Sequence, residues 1–488
     1  MGGRRFFQKG HASVLTSSSV VGAAPRRLAL VLASAAAAGI ALFLLTAHFV
    51  RTPSLTETSL DAMASASAAT NPASAAAAVV MNSMMPEVND GALTSGLVHR
   101  SMSSEALEQS LPLLGQAEAR LIRIYQLISQ AKRHEALKEA ESLVQDYPNF
   151  HLANLVLGDL LSVYTRPIRQ IGDVPDTKAI AATKQLEVLR EQSRRRLMAL
   201  TERPPENSVP SQFLALSKQS RHAIAVDASR SRLYLFENSQ GDGKTEASHM
   251  KLVGDYYISV GQSGVEKTSE GDLRTPVGVY YITSSLDAAK LPDLYGSGAL
   301  PINYPNPLDL QRGKTGSGIW LHGSPSEQFA RPPQASEGCV VLSNQDLDTL
   351  LDKVTIRTTP VVIAPELTWV KPEELAAERK QFEQTLEAWR SLKSQGKLDE
   401  LKALYSPSFD NQGQKLTDWW PRVEGEVRAL RSKEVELKDL SVLNWRDKDD
   451  TMVVTFGEVP AGKARGVTKR QYWIREGKQW KIFNEGTV

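Results

Sequence analysis

From residue 104 onward, apolar positions recur at helical spacing. Leu121, Ile124, Tyr125 and Ile128 fall on one face of a first helix. Ala136, Leu137, Ala140, Leu143 and Val144 do the same in a second, which must stop before Pro148. Leu152, Leu155, Val156 and Leu160 mark a third. The pattern predicts a longer helix over 177–200, and Arg203-Pro204-Pro205 closes the helical stretch. The period then changes to two. Runs at 223–226 and 233–236 flank a turn and read as a hairpin. Further strand-like runs follow at 256–260, 277–282 and 318–321. After Pro372, Leu375, Phe382, Leu386 and Trp389 return to helical spacing, and four strand-like runs close the chain at 435–445, 451–458, 469–475 and 479–483.

Upstream, residues 28–50 form an uncharged run rich in Leu, Ala and Val, long enough to span a hydrocarbon core. Arg4, Arg5, Lys9, Arg26 and Arg27 precede it, and after Arg51 no Lys or Arg occurs until Arg100. That asymmetry predicts a single-pass anchor in the inner membrane, with the C-terminal bulk in the periplasm. The alternative is a long signal peptide cleaved near 63–69. The expected organisation is a cytoplasmic tail (1–27), a transmembrane helix (28–50), a flexible linker (51–103), a helical region (104–203), a mainly β domain (221–365) and an α+β domain (373–488).

Composition narrows the chemistry. Among 488 residues, basic and acidic side chains nearly cancel to a net charge of +2, which gives no reason to expect nucleic-acid binding. The single cysteine, Cys339, excludes an internal disulfide and a cysteine-rich metal site. There is no His-Glu-x-x-His motif, and Leu308 stands where a phosphate loop ending in Gly313-Lys314-Thr315 needs a glycine. No metal or cofactor is expected. The triplet Arg194-Arg195-Arg196 reads as a solvated helix face.

Three segments of the β domain carry candidate chemistry: Gly271-Asp272-Leu273-Arg274-Thr275-Pro276-Val277-Gly278-Val279-Tyr280, Ile319-Trp320-Leu321-His322-Gly323 and Ser336-Glu337-Gly338-Cys339-Val340-Val341-Leu342-Ser343-Asn344. A thiolate can attack an amide carbonyl if an imidazole takes the thiol proton and returns it to the leaving amine. His322 closes a strand-like run and precedes a glycine. Gly338 lets the backbone beside Cys339 approach a substrate. Ser343, three residues before Asp346, has the spacing of a helix N-cap, and a helix starting there would help direct N–H groups toward a developing negative charge.

These three segments, in this order, resemble the L,D-transpeptidase catalytic domain family, also called YkuD. The resemblance implies a mainly β domain with the cysteine above its cleft. It makes Cys339 the nucleophile and His322 the proton donor and acceptor, with Ser336, Glu337, Gly338, Gly323 and Tyr304 in the substrate site. The implied substrate is a peptidoglycan stem tetrapeptide, attacked at its third residue with release of the terminal D-alanine. The implied role is wall cross-linking or remodelling, with a bearing on cell shape. The sequence departs from the family pattern twice: Glu337 stands where a histidine is usual, and Val341 where an arginine is usual. The segment Asn303-Tyr304-Pro305-Asn306 resembles a branch that includes wall-editing hydrolases. Transfer to an amine acceptor is therefore the first expectation, hydrolysis of the same substrate the second, and a non-catalytic wall-binding scaffold the competing class. Residues 117–164 resemble a tetratricopeptide-like hairpin array, and the C-terminal pattern, with Tyr405-Ser406-Pro407-Ser408-Phe409, resembles the nuclear-transport-factor-like cone fold. Both suit contacts with cell-wall proteins. For Arg194–Arg196, anionic wall polymers or lipid headgroups are the functional alternative to solvent.

Overall fold

A computed structural model describes residues 111–168, 170–173, 176–239 and 249–488. The anchor expected at 28–50 and the linker at 51–103 lie outside the described residues. Among those described, no helix is long and apolar enough to cross a membrane.

The helical region holds α1 (Gln116–Ser129), α2 (Arg133–Asp146), α3 (His151–Ser162) and α4 (Asp176–Thr201). Ala136 and Ala140 are fully buried on α2, and their small side chains let it lie close to Leu121 and Ile124 of α1 and to Leu152 and Val156 of α3. Arg120 of α1 braces this pair by donating to Glu139, Ser142 and Asp146 of α2.

The arginine triplet on α4 does not form the solvated face its charge suggests. Arg194 and Arg195 are half-buried and pair with Glu191, whereas Arg196 is 2% exposed. Successive helix residues point about 100° apart, so Arg196 turns inward. There it reaches Glu118 of α1 at 3.0 Å and stacks over the ring of Tyr257, 3.9 Å away.

The central domain is built on a five-stranded sheet. Its order is His249–Tyr257, Arg232–Ser239, His222–Asp227, Pro360–Ala364 and Gly278–Tyr281. Strand His222–Asp227 is buried along its whole length because both faces of the sheet are covered. Ile224, Val226, Leu233 and Leu235 point into a core shared with Leu300, Leu321, Val340 and Leu342. Ala223, Ala225, Tyr234 and Phe236 point the other way, against Leu443, Trp445, Val453 and Phe483 of the C-terminal sheet.

That C-terminal sheet also has five strands: Phe213–Ala215, Val435–Arg446, Asp450–Pro460, Val467–Glu476 and Gln479–Thr487. Its first strand comes from the segment before the central domain, so residues 204–220 are more than a link. Helices Ala376–Gln395 and Leu416–Leu430 cover its other face through Phe382, Leu386, Trp389, Trp420 and Val423.

A smaller four-stranded sheet carries the candidate chemistry. Its order is Val340–Val341, Trp320–His322, Gly298–Pro301 and Leu286–Asp287. The strand expected over 318–321 begins only at Trp320, since Gly316 and Gly318 adopt positive φ and break the extended run.

Candidate active site

Parallel pairing puts Leu321 opposite Val340 and His322 opposite Val341. Cys339 therefore enters its strand beside Trp320. The Trp320 N–H points at Sγ, 3.4 Å away, and the thiol faces the Gly318 carbonyl at 3.5 Å.

The loop before the cysteine is held from two sides. Ser336 is buried; its hydroxyl accepts from the Gly338 N–H and donates to the Cys339 carbonyl at 2.6 Å. Beneath it runs the segment from Gly271 to Tyr280. Gly338 has φ +129°, and a Cβ there would meet the Arg274 carbonyl oxygen at 2.7 Å, so only glycine fits. Asp272 organises that lower segment by accepting from the N–H groups of Thr268, Ser269 and Arg274 and from Lys267 Nζ. Burial works against its charge, yet these donors hold its carboxyl well below the usual range.

His322 ends its strand with the ring 3% exposed. Its Nδ1 lies 2.7 Å from the Gly323 carbonyl. A carbonyl can only accept, so Nδ1 carries the proton and Nε2 keeps a lone pair. Tyr295 packs its ring edge-on against the imidazole at 5.0 Å and also against Trp320 at 4.8 Å, forming an aromatic wall. Burial pushes the His322 pKa down to about 4, the Gly323 hydrogen bond opposes the shift, and the charge of Arg331 adds to it. Burial likewise pushes the Cys339 thiol up, against the Trp320 N–H and Arg331; Glu337 adds to the rise. Burial thus favours the neutral form of both the thiol and the imidazole.

The remaining residues proposed from sequence fall in different places. Gly323 is buried where a Cβ would collide with Asn344 Oδ1 at 2.1 Å; that oxygen accepts from the N–H groups of Ser297 and Ser324. Glu337 is exposed beside Gly338. Tyr304 is 5% exposed, donates its hydroxyl to the Thr315 carbonyl and packs against Tyr280, so its donor is already used inside the core. Val341, at the position where the family pattern has an arginine, is 2% exposed in the sheet. The helix Asn344–Lys353 follows the cysteine with Ser343 as its N-cap.

Sequence reasoning did not single out Arg331, Asn344 or Tyr295. Arg331 lies in an Arg-Pro-Pro stretch that carries no periodic signal. Among the described residues, no group of three or more His, Cys, Asp or Glu side chains could hold a metal ion.

Residues 221–363 match the L,D-transpeptidase catalytic domain (YkuD), and residues 381–486 match the Cds6 C-terminal NTF2-like domain. The chain thus carries an L,D-transpeptidase-type catalytic domain followed by an NTF2-like domain. Among solved structures it is similar to Bd1075 of Bdellovibrio bacteriovorus, with 24% identity over 58% of this chain and 98% of that one and a TM-score of 0.48. It is also similar to the helical cell shape determining protein Pgp2 of Campylobacter jejuni, with 22% identity over 57% of this chain and 95% of that one and a TM-score of 0.44. Comparison with curated proteins gives no match.

Proposed function

We propose that this protein is a cysteine-dependent L,D-transpeptidase acting on peptidoglycan stem tetrapeptides in cell-wall cross-linking or remodelling. The observation that carries this reading is the pairing of the Cys339 strand with the His322 strand, with the imidazole held in the Nδ1–H tautomer. His322 Nε2 takes the thiol proton as Sγ attacks the carbonyl carbon of the third stem residue. The resulting oxyanion needs donors, and the Trp320 N–H, already aimed at Sγ, is a candidate. Collapse breaks the amide bond, and the imidazolium returns its proton to the departing D-alanine amine. An acceptor amine then attacks the thioester, His322 removes its proton, and the thiolate is released and reprotonated. If water attacks instead, the outcome is hydrolysis. The absence of a charged side chain at Val341 and the presence of Glu337 bear on that choice of acceptor, and keep hydrolysis as the second reading.

The experiment is muropeptide analysis by mass spectrometry with the purified protein and its Cys339→Ala variant. Cross-linked products from wild type and none from Cys339→Ala support transfer. Shortened stems without cross-links support hydrolysis. Products at wild-type levels from Cys339→Ala would overturn the cysteine mechanism, and no products from wild type would leave a wall-binding scaffold. We also propose, from the run at 28–50, that the protein stays anchored in the inner membrane with this domain in the periplasm. N-terminal sequencing of the mature protein that starts beyond residue 60 would show a cleaved signal instead.

A further inference from the structure

Between His322 and the cysteine loop the chain makes a strap over 325–333, which departs from the catalytic core to touch the helical region. Phe329 leaves its own domain and enters the core of that region. Its ring stacks on Phe150 with centroids 4.1 Å apart and meets Tyr147 edge-on at 5.6 Å. The Phe329 N–H donates to the Asn149 carbonyl, and Asn149 Nδ2 donates to the Ser326 carbonyl at 2.9 Å. The same turn between α2 and α3 grips the other side of the site, because Gln345, on the helix that follows the cysteine, donates to the Tyr147 hydroxyl at 2.9 Å.

Two residues beyond Phe329, the strap returns to the catalytic core. Tyr257 donates its hydroxyl to the Arg331 carbonyl, and the Val260 N–H donates to the Pro333 carbonyl. Gln334–Ser336 then pairs with Val260–Gly261, while Ser259 bridges to Val341 on the other side. Arg331 thus lies one strand away from the cysteine strand. Its backbone is fixed, and its half-buried guanidinium has no hydrogen-bond or ion-pair partner among the described residues. Burial draws down the pKa of Arg331, and the charges of Cys339 and Glu337 act on it in the opposite sense. A partly buried guanidinium with open donors is a ready site for a carboxylate, which it can take in a bidentate fork.

We propose that Arg331 binds a carboxylate of the substrate beside Cys339, and that the helical region holds it there by gripping Phe329. This rests on the stem-peptide reading above. A stem tetrapeptide offers the required group at its C-terminus, at any side-chain carboxyl of its third residue and at the free carboxyl of an acidic second residue.

The test uses the full chain carrying Cys339→Ala, so that binding is read without turnover. The probes are a synthetic stem tetrapeptide and three amides of it, at the C-terminus, at the third-residue side chain and at the second-residue free carboxyl, titrated by calorimetry. Arg331→Gln is expected to weaken the free-acid peptide by about ten- to a hundredfold, the worth of a charge-assisted contact. One of the amides should already bind that weakly to the Arg331 parent and lose nothing further, which identifies the carboxylate. An equal loss for all four peptides, no loss, or no binding to the parent would overturn the assignment. Phe329→Ala should reproduce the selective loss, and Phe329→Leu, which keeps an apolar plug, should restore part of it. Parent-like selectivity in folded Phe329→Ala would overturn the clamp. Carboxylate selectivity in a protein whose wild type produces neither cross-links nor shortened stems would sink the proposed reaction and leave this inference standing. Turnover without that selectivity would do the reverse.

Discussion

Arg232 of the central sheet donates to Glu118 of α1 at 2.8 Å, with both side chains sealed from solvent. Arg232 also reaches Asp255 at 2.6 Å, and Arg196 approaches the same Glu118 oxygen at 3.0 Å. Burial alone would raise the Glu118 pKa, but the two arginines outweigh it and hold the carboxyl low. The cluster ties the helical region to the catalytic sheet. Arg232→Met would leave Glu118 with only Arg196 and Asp255 without its cation. The expected cost is about 3–5 kcal/mol, the usual penalty for orphaning a buried charge. Thermal denaturation should show a clear fall in the melting temperature. A change of less than about 1 kcal/mol would mean that water reaches the cluster and relieves it.

The His322–Cys339 pair predicts a particular pH dependence. With burial drawing the His322 imidazole down to about 4 and pushing the Cys339 thiol up, a thiolate–imidazolium pair is not expected at neutral pH. Alkylation of Cys339 by iodoacetamide should keep rising through pH 9 rather than level off near neutrality. Stability should fall on the acid side. The folded pKa of His322 lies below its unfolded value, so its contribution is complete above about 6.5 and is lost as pH falls toward 4. A plateau of alkylation between pH 5 and 7 would instead reveal a preformed ion pair.

Gly338 separates catalytic geometry from folding. An alanine Cβ there would approach the Arg274 carbonyl at 2.7 Å from a backbone at φ +129°. The loop would have to shift, carrying Cys339 with it. Misplacement by about 1 Å can cost on the order of a hundredfold in rate. Gly338→Ala should therefore lose turnover by about that factor with a nearly unchanged circular dichroism spectrum. Retained activity would mean that the loop absorbs the methyl group locally.

Much of this candidate site was legible in the sequence because its residues sit in short, ordered motifs. Cys339, His322 and Gly338 could be named from neighbouring residues alone, and the hairpin around 227–232 followed from alternation. What stayed hidden depends on contacts between distant segments. Arg196 looked solvated because its partners, Glu118 and Tyr257, lie far away in the chain. Phe213–Ala215 is too short to show a period, and its place in the C-terminal sheet is set by a partner more than two hundred residues on. Arg331 had no signal because a Pro-rich strap has no repeating pattern, and the ring that anchors it packs into another region.

Glu337 is the charged residue among the two departures from the family pattern beside Cys339. It is exposed, next to the glycine that admits the cysteine loop, and its charge works with burial to raise the thiol pKa. Arg331 and Lys267 oppose it, so the thiol feels one negative and two positive charges. Removing the carboxylate while keeping its size removes only the unfavourable partner. Glu337→Gln should therefore lower the pKa read from Cys339 alkylation, and faster alkylation at pH 8 should accompany it. The same carboxylate would attract a protonated acceptor amine, so its loss should shift products from amine transfer toward hydrolysis. The two readouts are independent. A lowered thiol pKa with unchanged product ratios would confine Glu337 to the nucleophile. If neither moves, Glu337 is a solvent-facing bystander, and the choice of acceptor rests on groups other than Glu337.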